Sequence, residues 1–365
     1  MPPFGSVMPI AGGGSAVIAS PKLVLITANN DTLQTDYETF AAQYAASAAW
    51  TSQVQEYGVG AFTATTQRLA TAPATDQAAI DLITANTTGA NPAWGTTDPN
   101  AVYMFVIPKG AAFDDGTGSK CCTDYFGYHY DAMVGNTDTA YSIVCGCDDS
   151  TYPNFSTLQV TTSTASHEMV EAATDPFVTP SGYWNVDDDH YGWSYGTDSE
   201  LADLCQYADT AYWVGAPGVD STFALQRTWS NVAAAAGHDP CVGQGTTPYY
   251  QTVPAAPDAL TLTIDGSPLN THGNKIAMGA TGMITLHVYA DDPSGGPLTV
   301  TLDDLGYGFL DFTQPTGTFM PGDTIKVPVH VKGTDQQLDN KAEVFEVVTK
   351  SATGPKTYFY SLIGQ

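Results

Sequence analysis

Between residues 121 and 226 the chain carries sixteen Asp and Glu and neither a Lys nor an Arg. A folded segment of that length buries part of itself, and a buried carboxylate needs a proton, a hydrogen-bond donor or a cation. The local sequence offers no basic side chain to supply the charge. The bias extends to the whole chain, with 38 acidic residues against 11 basic and a formal net charge of −27 over 365 residues. Such a chain cannot assemble the basic patch that nucleic acid or an anionic membrane surface requires. Hydrophobic content of 43% excludes a disordered chain. No apolar run approaches the roughly 20 residues of a membrane span.

Within this interval, "TASHEMVEAATDP" (164–176) has the pattern of a helix beginning near Thr162 or Ser163 and ending before Pro176. His167 and Glu171 are then i and i+4 on one face, with Asp175 at i+8 if the last turn holds. Glu168 lies beside them, and Met169, Val170 and Ala173 supply the packing face. A His-Glu-x-x-His zinc helix would carry a second His at position 171. With Glu171 there instead, the expected ligands are an imidazole and a carboxylate, and Glu168 is placed to take a proton from activated water. Zinc is the expected cofactor, with calcium as the alternative for an oxygen-rich set. "SELADLC" (199–205) adds Glu200 and Asp203 at i,i+3 on a short turn. Glu200 is the first choice for a downstream third ligand, and Asp203 a supporting or alternative one. "NVDDDHYGW" reads as a solvated loop or a peripheral calcium loop.

The chain organises into an N-terminal segment (1–21), a larger domain (22–250), a linker (251–258) and an all-β domain (259–365). The N-terminal segment lacks the charged start of a secretory signal peptide. "KLVLITAN" and "AVYMFVIP" read as buried strands. "TDYETFAAQYAASAAWTSQVQEYG" reads as one helix and "TDQAAIDLITANT" as another, so the larger domain is α/β (α+β). Beyond the linker, "TIKVPVHVK" sets Ile325, Val327, Val329 and Val331 on one face, and five other runs behave similarly. About seven strands separated by turn residues predict an antiparallel immunoglobulin-like sandwich.

Six cysteines, at 121, 122, 145, 147, 205 and 241, allow two readings. One is a framework of up to three disulfides, with 15 connectivities. The other is a thiolate site built from Cys121-Cys122 and Cys145-Gly-Cys147. The disulfide reading suits the Thr-, Ser-, Gly- and Tyr-rich, Lys-poor composition, which points to an extracellular or cell-surface protein.

Five segments occur in one order: "GYHY" (127–130), "ASHEMVEAATDP" (165–176), "SELADLC" (199–205), "LQRTWSN" (225–231) and a closing Cys241. Together, over about residues 22–243, they resemble the EXORDIUM or phosphate-induced protein family and its secreted bacterial relatives. The resemblance implies a secreted protein with a metalloprotease-like helix. It also moves His129, otherwise a core histidine among aromatics, to a candidate ligand or a catalytic group near a developing oxyanion. The C-terminal sandwich lies outside the resemblance. Three functional readings follow. The first is a secreted metal-dependent hydrolase, most readily a zinc peptidase, acting on extracellular protein, peptide or glycan. The second is a non-catalytic binding protein, with Tyr183, Trp184, Tyr191, Trp193, Tyr195, Tyr212 and Trp213 stacking on sugars. The third is a surface-layer or filament protein that self-assembles through the sandwich.

Overall fold

The computed structural model describes residues 7–9, 16–197, 199–243, 248–264, 266–336, 338 and 341–365; residues 1–6 and 10–15 of the N-terminal segment lie outside it. The protein is mixed α/β with more strand than helix. It divides into two compact units. One comprises Pro9–Trp184 with Tyr212–Thr228; the other comprises Asn185–Ala211, Trp229–Gln365 and residues 7 and 8. The chain thus crosses between units several times, and no single boundary falls at residue 250.

The first unit contains β1 (Lys22–Ala28), α1 (Gln34–Ala45), α2 (Ala48–Val54), β2 (Thr63–Leu69), α3 (Asp76–Thr87) and β3 (Ala101–Ile107). It continues with β4 (Gly127–Val134), β5 (Thr137–Cys145), α4 (Thr157–Thr174), β6 (Tyr212–Val214) and β7 (Ala224–Gln226). The main sheet has the order β2-β1-β3-β5-β4. Its pairs are parallel except β4, which returns antiparallel along β5 as the edge strand. Every residue of β3 is buried, as expected of a strand covered on both faces. On one face, Ala79 and Ile83 of α3 pack with Tyr103, Phe105, Tyr141 and Ile143. The two buried strands and α3 lie where the sequence places them. The long helix over 35–58 does not form. Ser47 interrupts it, its hydroxyl donating to the Tyr44 carbonyl (2.7 Å) and accepting from Trp50 N–H (3.2 Å) to cap α2.

The second unit holds α5 (Tyr191–Thr197), α6 (Asp203–Gln206), α7 (Asn231–Ala236) and, from residue 250 onward, the strands of two larger sheets. These are β8 (Tyr250–Pro254), β9 (Asp258–Ile264), β10 (Ser267–Lys275), β11 (Thr281–Ala290), β12 (Leu298–Asp303), β13 (Leu310–Phe312), β14 (Thr324–Val331), β15 (Ala342–Ser351) and β16 (Lys356–Gly364). They form two sheets, β8-β11-β14-β13 and β9-β10-β16-β15-β12. Ile325, Val327, Val329 and Val331 are all buried, the face that alternation assigns to the core. Two corrections apply. The stretch read as a linker contributes β8, a fully buried strand paired with β11. The sheets are also not purely antiparallel, because the end of β10 runs parallel to the end of β16 (Asn274 opposite Ile363).

All six cysteines are oxidised, as Cys121–Cys145, Cys122–Cys147 and Cys205–Cys241. This removes the thiolate-site reading and is compatible with an extracellular or surface location. Among the described residues no helix is long and apolar enough to cross a membrane.

Candidate metal centre

The centre is built on α4, which starts earlier than its sequence pattern suggests. Ser156 caps it in a reciprocal box. The Ser156 hydroxyl accepts from Gln159 N–H (3.2 Å), and Gln159 Oε1 accepts from Ser156 N–H (3.1 Å). The first two turns hold Thr157, Thr161, Thr162 and Thr164, and Thr is a modest helix former, so apolar periodicity alone misses them. Those hydroxyls turn inward along the helix. Thr161, Thr164 and Thr174 each donate to the carbonyl four residues back, at 2.8, 3.1 and 2.9 Å. A helix that satisfies its own small polar side chains can be buried on nearly all sides, and α4 is.

β4 brings the second group of residues. Side chains alternate along a strand. Tyr128 turns to the α3 face, where its hydroxyl and that of Tyr141 donate to the Asp76 carboxylate at 2.7 and 2.8 Å. Burial and this carboxylate push both tyrosines above their ordinary pKa. Gly127 and His129 therefore face α4. A Cβ at Gly127 would stand 2.6 Å from Thr164 Cγ2 and 2.7 Å from Glu168 Oε1, so only glycine admits this approach. The end of β5 is fixed beside it by the Cys145 N–H bond to the Phe126 carbonyl (2.8 Å) and by the two neighbouring disulfides.

His167, Glu168 and Glu171 meet on α4. One ligating atom from each lies within 4.8 Å of the others. All three are buried, with Glu168 and Glu171 only 3% exposed. His167 Nε2 is 2.8 Å from Glu171 Oε2. His129 Nδ1 is 3.6 Å from Glu168 Oε2 and 3.8 Å from Glu171 Oε2. Outer partners set the ring tautomers. The amide oxygen of Gln226 accepts from His167 Nδ1 at 2.9 Å, and the Asp175 carbonyl accepts from His129 Nε2 at 3.0 Å. With those protons in place, the inward nitrogens present lone pairs toward carboxylates. Two acceptors at 2.8 Å repel unless a proton or a cation sits between them. Glu168 Oε2 is buried with no hydrogen-bond partner among the described residues.

The donor set fits a divalent ion. Ligands held about 2.1 Å from a tetrahedral zinc stand roughly 3.4 Å from one another, close to the His129 and His167 separations above. An imidazole that gives its other N–H to an amide or carbonyl is the usual arrangement of a metal-binding histidine. Replacing Gln226 by Leu, close in size, removes that acceptor. The expected result is a fall of about 10–100-fold in metal affinity, measured by competition with a chelating dye. Unchanged affinity would remove Gln226 from the centre.

Asp175 corrects the acidic stripe. The helix ends at Thr174, and Asp175 has left helical geometry (φ −139°, ψ 63°). Its carboxylate accepts the Gly182 N–H, and its carbonyl serves His129. Glu200 and Asp203 belong to the other unit. Glu200 opens the turn into α6, its carbonyl accepting Leu204 N–H at 3.2 Å, and Asp203 Oδ1 accepts from Gln206 Nε2 at 3.0 Å. Asp188–His190 form a 3-10 turn leading into α5. Trp193, one of the aromatics offered for sugar stacking, is buried against Trp229, Phe359 and Tyr360. Tyr212 stacks on Phe155.

Spacing on one helix does not reveal Gln226, Gly127 or the Asp175 carbonyl. "GYHY" and "LQRTWSN" hold the first two, and there the order of segments is the available signal. β7 carries Gln226 to the helix through two hydroxyl contacts. Ala224 N–H donates to Thr162 Oγ1 (3.1 Å), and Gln226 N–H donates to Ser166 Oγ (2.8 Å).

No family model and no curated protein matches this chain. Among solved structures, a conjugative transposon lipoprotein from Bacteroides eggerthii DSM 20697 aligns at 16% identity over 32% of this chain and 97% of its own, with a TM-score of 0.18. Domains 4 and 5 of the S-layer protein SbsC align at 9% identity over 39% of this chain and 80% of theirs, with a TM-score of 0.17. Likenesses this slight bear on neither fold nor function.

Proposed function

We propose that the chain is an extracellular metal-dependent hydrolase, with peptide bonds of extracellular proteins as its substrate class and zinc as its metal. The observation that supports this best is the pair of buried carboxylates, Glu168 and Glu171, facing imidazole lone pairs whose tautomers are set from outside. The order of segments shared with the EXORDIUM-like proteins supports it too. His167 and Glu171 would hold the ion, with His129 Nδ1 beside them. When bound, zinc supplies Lewis-acid polarisation and lowers the pKa of water toward about 7.

The chain's own residues divide the remaining work. Glu168 Oε2, with no hydrogen-bond partner among the described residues, is the group that would hold and pass on a proton. His129 gives its Nε2 proton to Asp175, so its Nδ1 donates to a developing oxyanion only as imidazolium; as a neutral ring it serves as a ligand. Tight burial of α4 excludes bulk water from the carboxylates. The C-terminal two-sheet unit is an immunoglobulin-like accessory module in this reading, suited to surface binding or self-assembly.

That same burial favours a second reading, in which the ion is structural and the site closed. One measurement separates the two. Metal content by mass spectrometry is expected at about one zinc per chain, kept in Glu168→Gln, with hydrolysis of a protein or peptide substrate lost only in that variant. Retained zinc with no hydrolysis in either chain selects the structural reading, and absence of any transition metal sinks both. Glu200, the third ligand expected from the sequence, is tested in the same series by Glu200→Gln.

A further inference from the structure

The three disulfides do not constrain the chain equally. Cys121–Cys145 and Cys122–Cys147 join the same two stretches, over separations of 24 and 25 residues, while Cys205–Cys241 closes a loop of its own. With Cys121–Cys145 in place, the second bond of the pair joins residues that are already neighbours. Cys122 follows Cys121 directly, and Gly146 alone separates Cys145 from Cys147. The restriction that a crosslink places on the unfolded chain grows with the logarithm of the loop it closes. The second bond therefore adds little, and the fold keeps nearly all of its constraint without it.

Exposure and backbone geometry decide which bond of the pair is open to reaction. Cys145, Cys147 and Cys205 are each 1% exposed, and Cys241 is 6% exposed. Cys121 is half-buried, and Cys122 is exposed. Cys122 also has φ 64°, a left-handed conformation that its Cβ disfavours. A tight turn holds it there. Cys122 N–H donates to the Tyr125 carbonyl at 2.8 Å, and Asp124 N–H donates to that of Lys120 at 2.9 Å. Exposed crosslinks that carry strain are the ones that exchange. Cys122 borders two cavities. One, of about 500 Å³, also takes in Cys147, Lys109 and Asp148. The other, of about 920 Å³, takes in Asp148, Asp149 and Phe155. Lys109 is the one basic side chain lining either cavity, and Asp148 already holds it at 2.6 Å. Negative charge thus dominates the approach, and a small molecule carrying positive charge suits it.

We propose that Cys122 is a thiol-exchange site for a small aminothiol. The incoming thiolate attacks Cys122 Sγ and a new S–S bond forms there. The bond to Cys147 breaks with its electron pair left on Cys147 Sγ. That thiolate faces the cavity holding Lys109 and takes a proton from solvent, matching the one the incoming thiol gave up. One disulfide is exchanged for another, so the step consumes no further oxidant or reductant. Cys121–Cys145 stays closed and keeps the segment before β4 tied to the end of β5. The exchange uses no residue of the centre on α4.

The test treats the full oxidised chain briefly with cysteamine, blocks free thiols with N-ethylmaleimide and maps the peptides by mass spectrometry. The expected product carries cysteamine on Cys122 and the blocking group on Cys147, and forms about tenfold or more faster than any product of the other two bonds. At low salt cysteamine should outpace 2-mercaptoethanesulfonate by about tenfold, once each rate is divided by that thiol's rate with a small neutral disulfide. Cys122→Ala combined with Cys147→Ala should abolish uptake and leave a folded chain. Cys121→Ala combined with Cys145→Ala should also fold. All four substitutions together should lower the melting temperature by more than the sum of the two pairs, because only then is the shared loop open. No adduct on the native chain, a first adduct at any other cysteine, or melting losses that simply add would each overturn the proposal. Equal normalised rates for the two thiols would overturn its aminothiol class.

Discussion

Glu171→Ala is expected to strip the centre of its metal while leaving the fold intact. Glu171 Oε2 stands between both imidazoles, 2.8 Å from His167 Nε2 and 3.8 Å from His129 Nδ1. Its loss removes the atom common to both contacts. Losing an outer partner of a metal ligand typically costs about 10–100-fold in affinity, so losing a ligand should exceed that and take the metal below detection after dialysis. The usual objection is that a buried substitution simply unfolds the protein. Here the sign runs the other way for the metal-free chain. Glu168 and Glu171 are like charges buried on adjacent turns, and removing one relieves repulsion in a poorly screened place. The metal-free variant should melt no lower than metal-free wild type. Mass spectrometry of bound metal and a thermal melt of each chelated protein check both halves. Full zinc occupancy in Glu171→Ala would remove this residue from the ligand set.

Two glycines should separate stability from metal binding. At Gly182 an added Cβ would stand 1.9 Å from the Thr174 carbonyl oxygen and 2.5 Å from that of Ala16. Both obstacles are backbone, so the segment must move as a whole. Gly182→Ala is expected to cost about 1–3 kcal/mol or more, the range for overpacking in a closed interior. At Gly127 the nearest atoms are the Thr164 methyl and a Glu168 oxygen, both side-chain ends. Gly127→Ala should therefore cost less stability but displace Glu168, and with it abolish the proposed hydrolysis. Thr164→Ser removes the closest obstacle and should restore part of the stability, without restoring activity while Glu168 stays displaced. Equal melting losses at the two glycines, with activity spared in Gly127→Ala, would contradict the placement of β4 against α4.

What could be read from the sequence follows from the range of the physics involved. His167 and Glu171 share a face because four residues make about one turn, and that holds in any helix. The β14 face was legible because alternation is a property of the strand alone. The start of α4 was not, since it depends on a reciprocal cap between Ser156 and Gln159 and on Thr hydroxyls in the next turn bonding backward. The break at Ser47 was missed for the same reason, an apolar pattern running on through a capping residue. Gln226 lies 59 residues from the ring it holds, and nothing local encodes that meeting. Six cysteines permitted fifteen pairings, and only the fold selects one.

The three disulfides span only 24, 25 and 36 residues. Each closes a short loop, whose entropic cost is low, so each can form early in an oxidising compartment. The contacts that complete the centre are longer: 46 residues from His129 to Asp175 and 59 from His167 to Gln226. Contacts of that separation form late. Oxidation can therefore set the β4–β5 hairpin before α4 has a partner, and the two histidines come into place at different stages of assembly. A chain arrested between those stages would carry its full complement of crosslinks and still lack the centre, so an intact disulfide pattern does not certify a mature molecule.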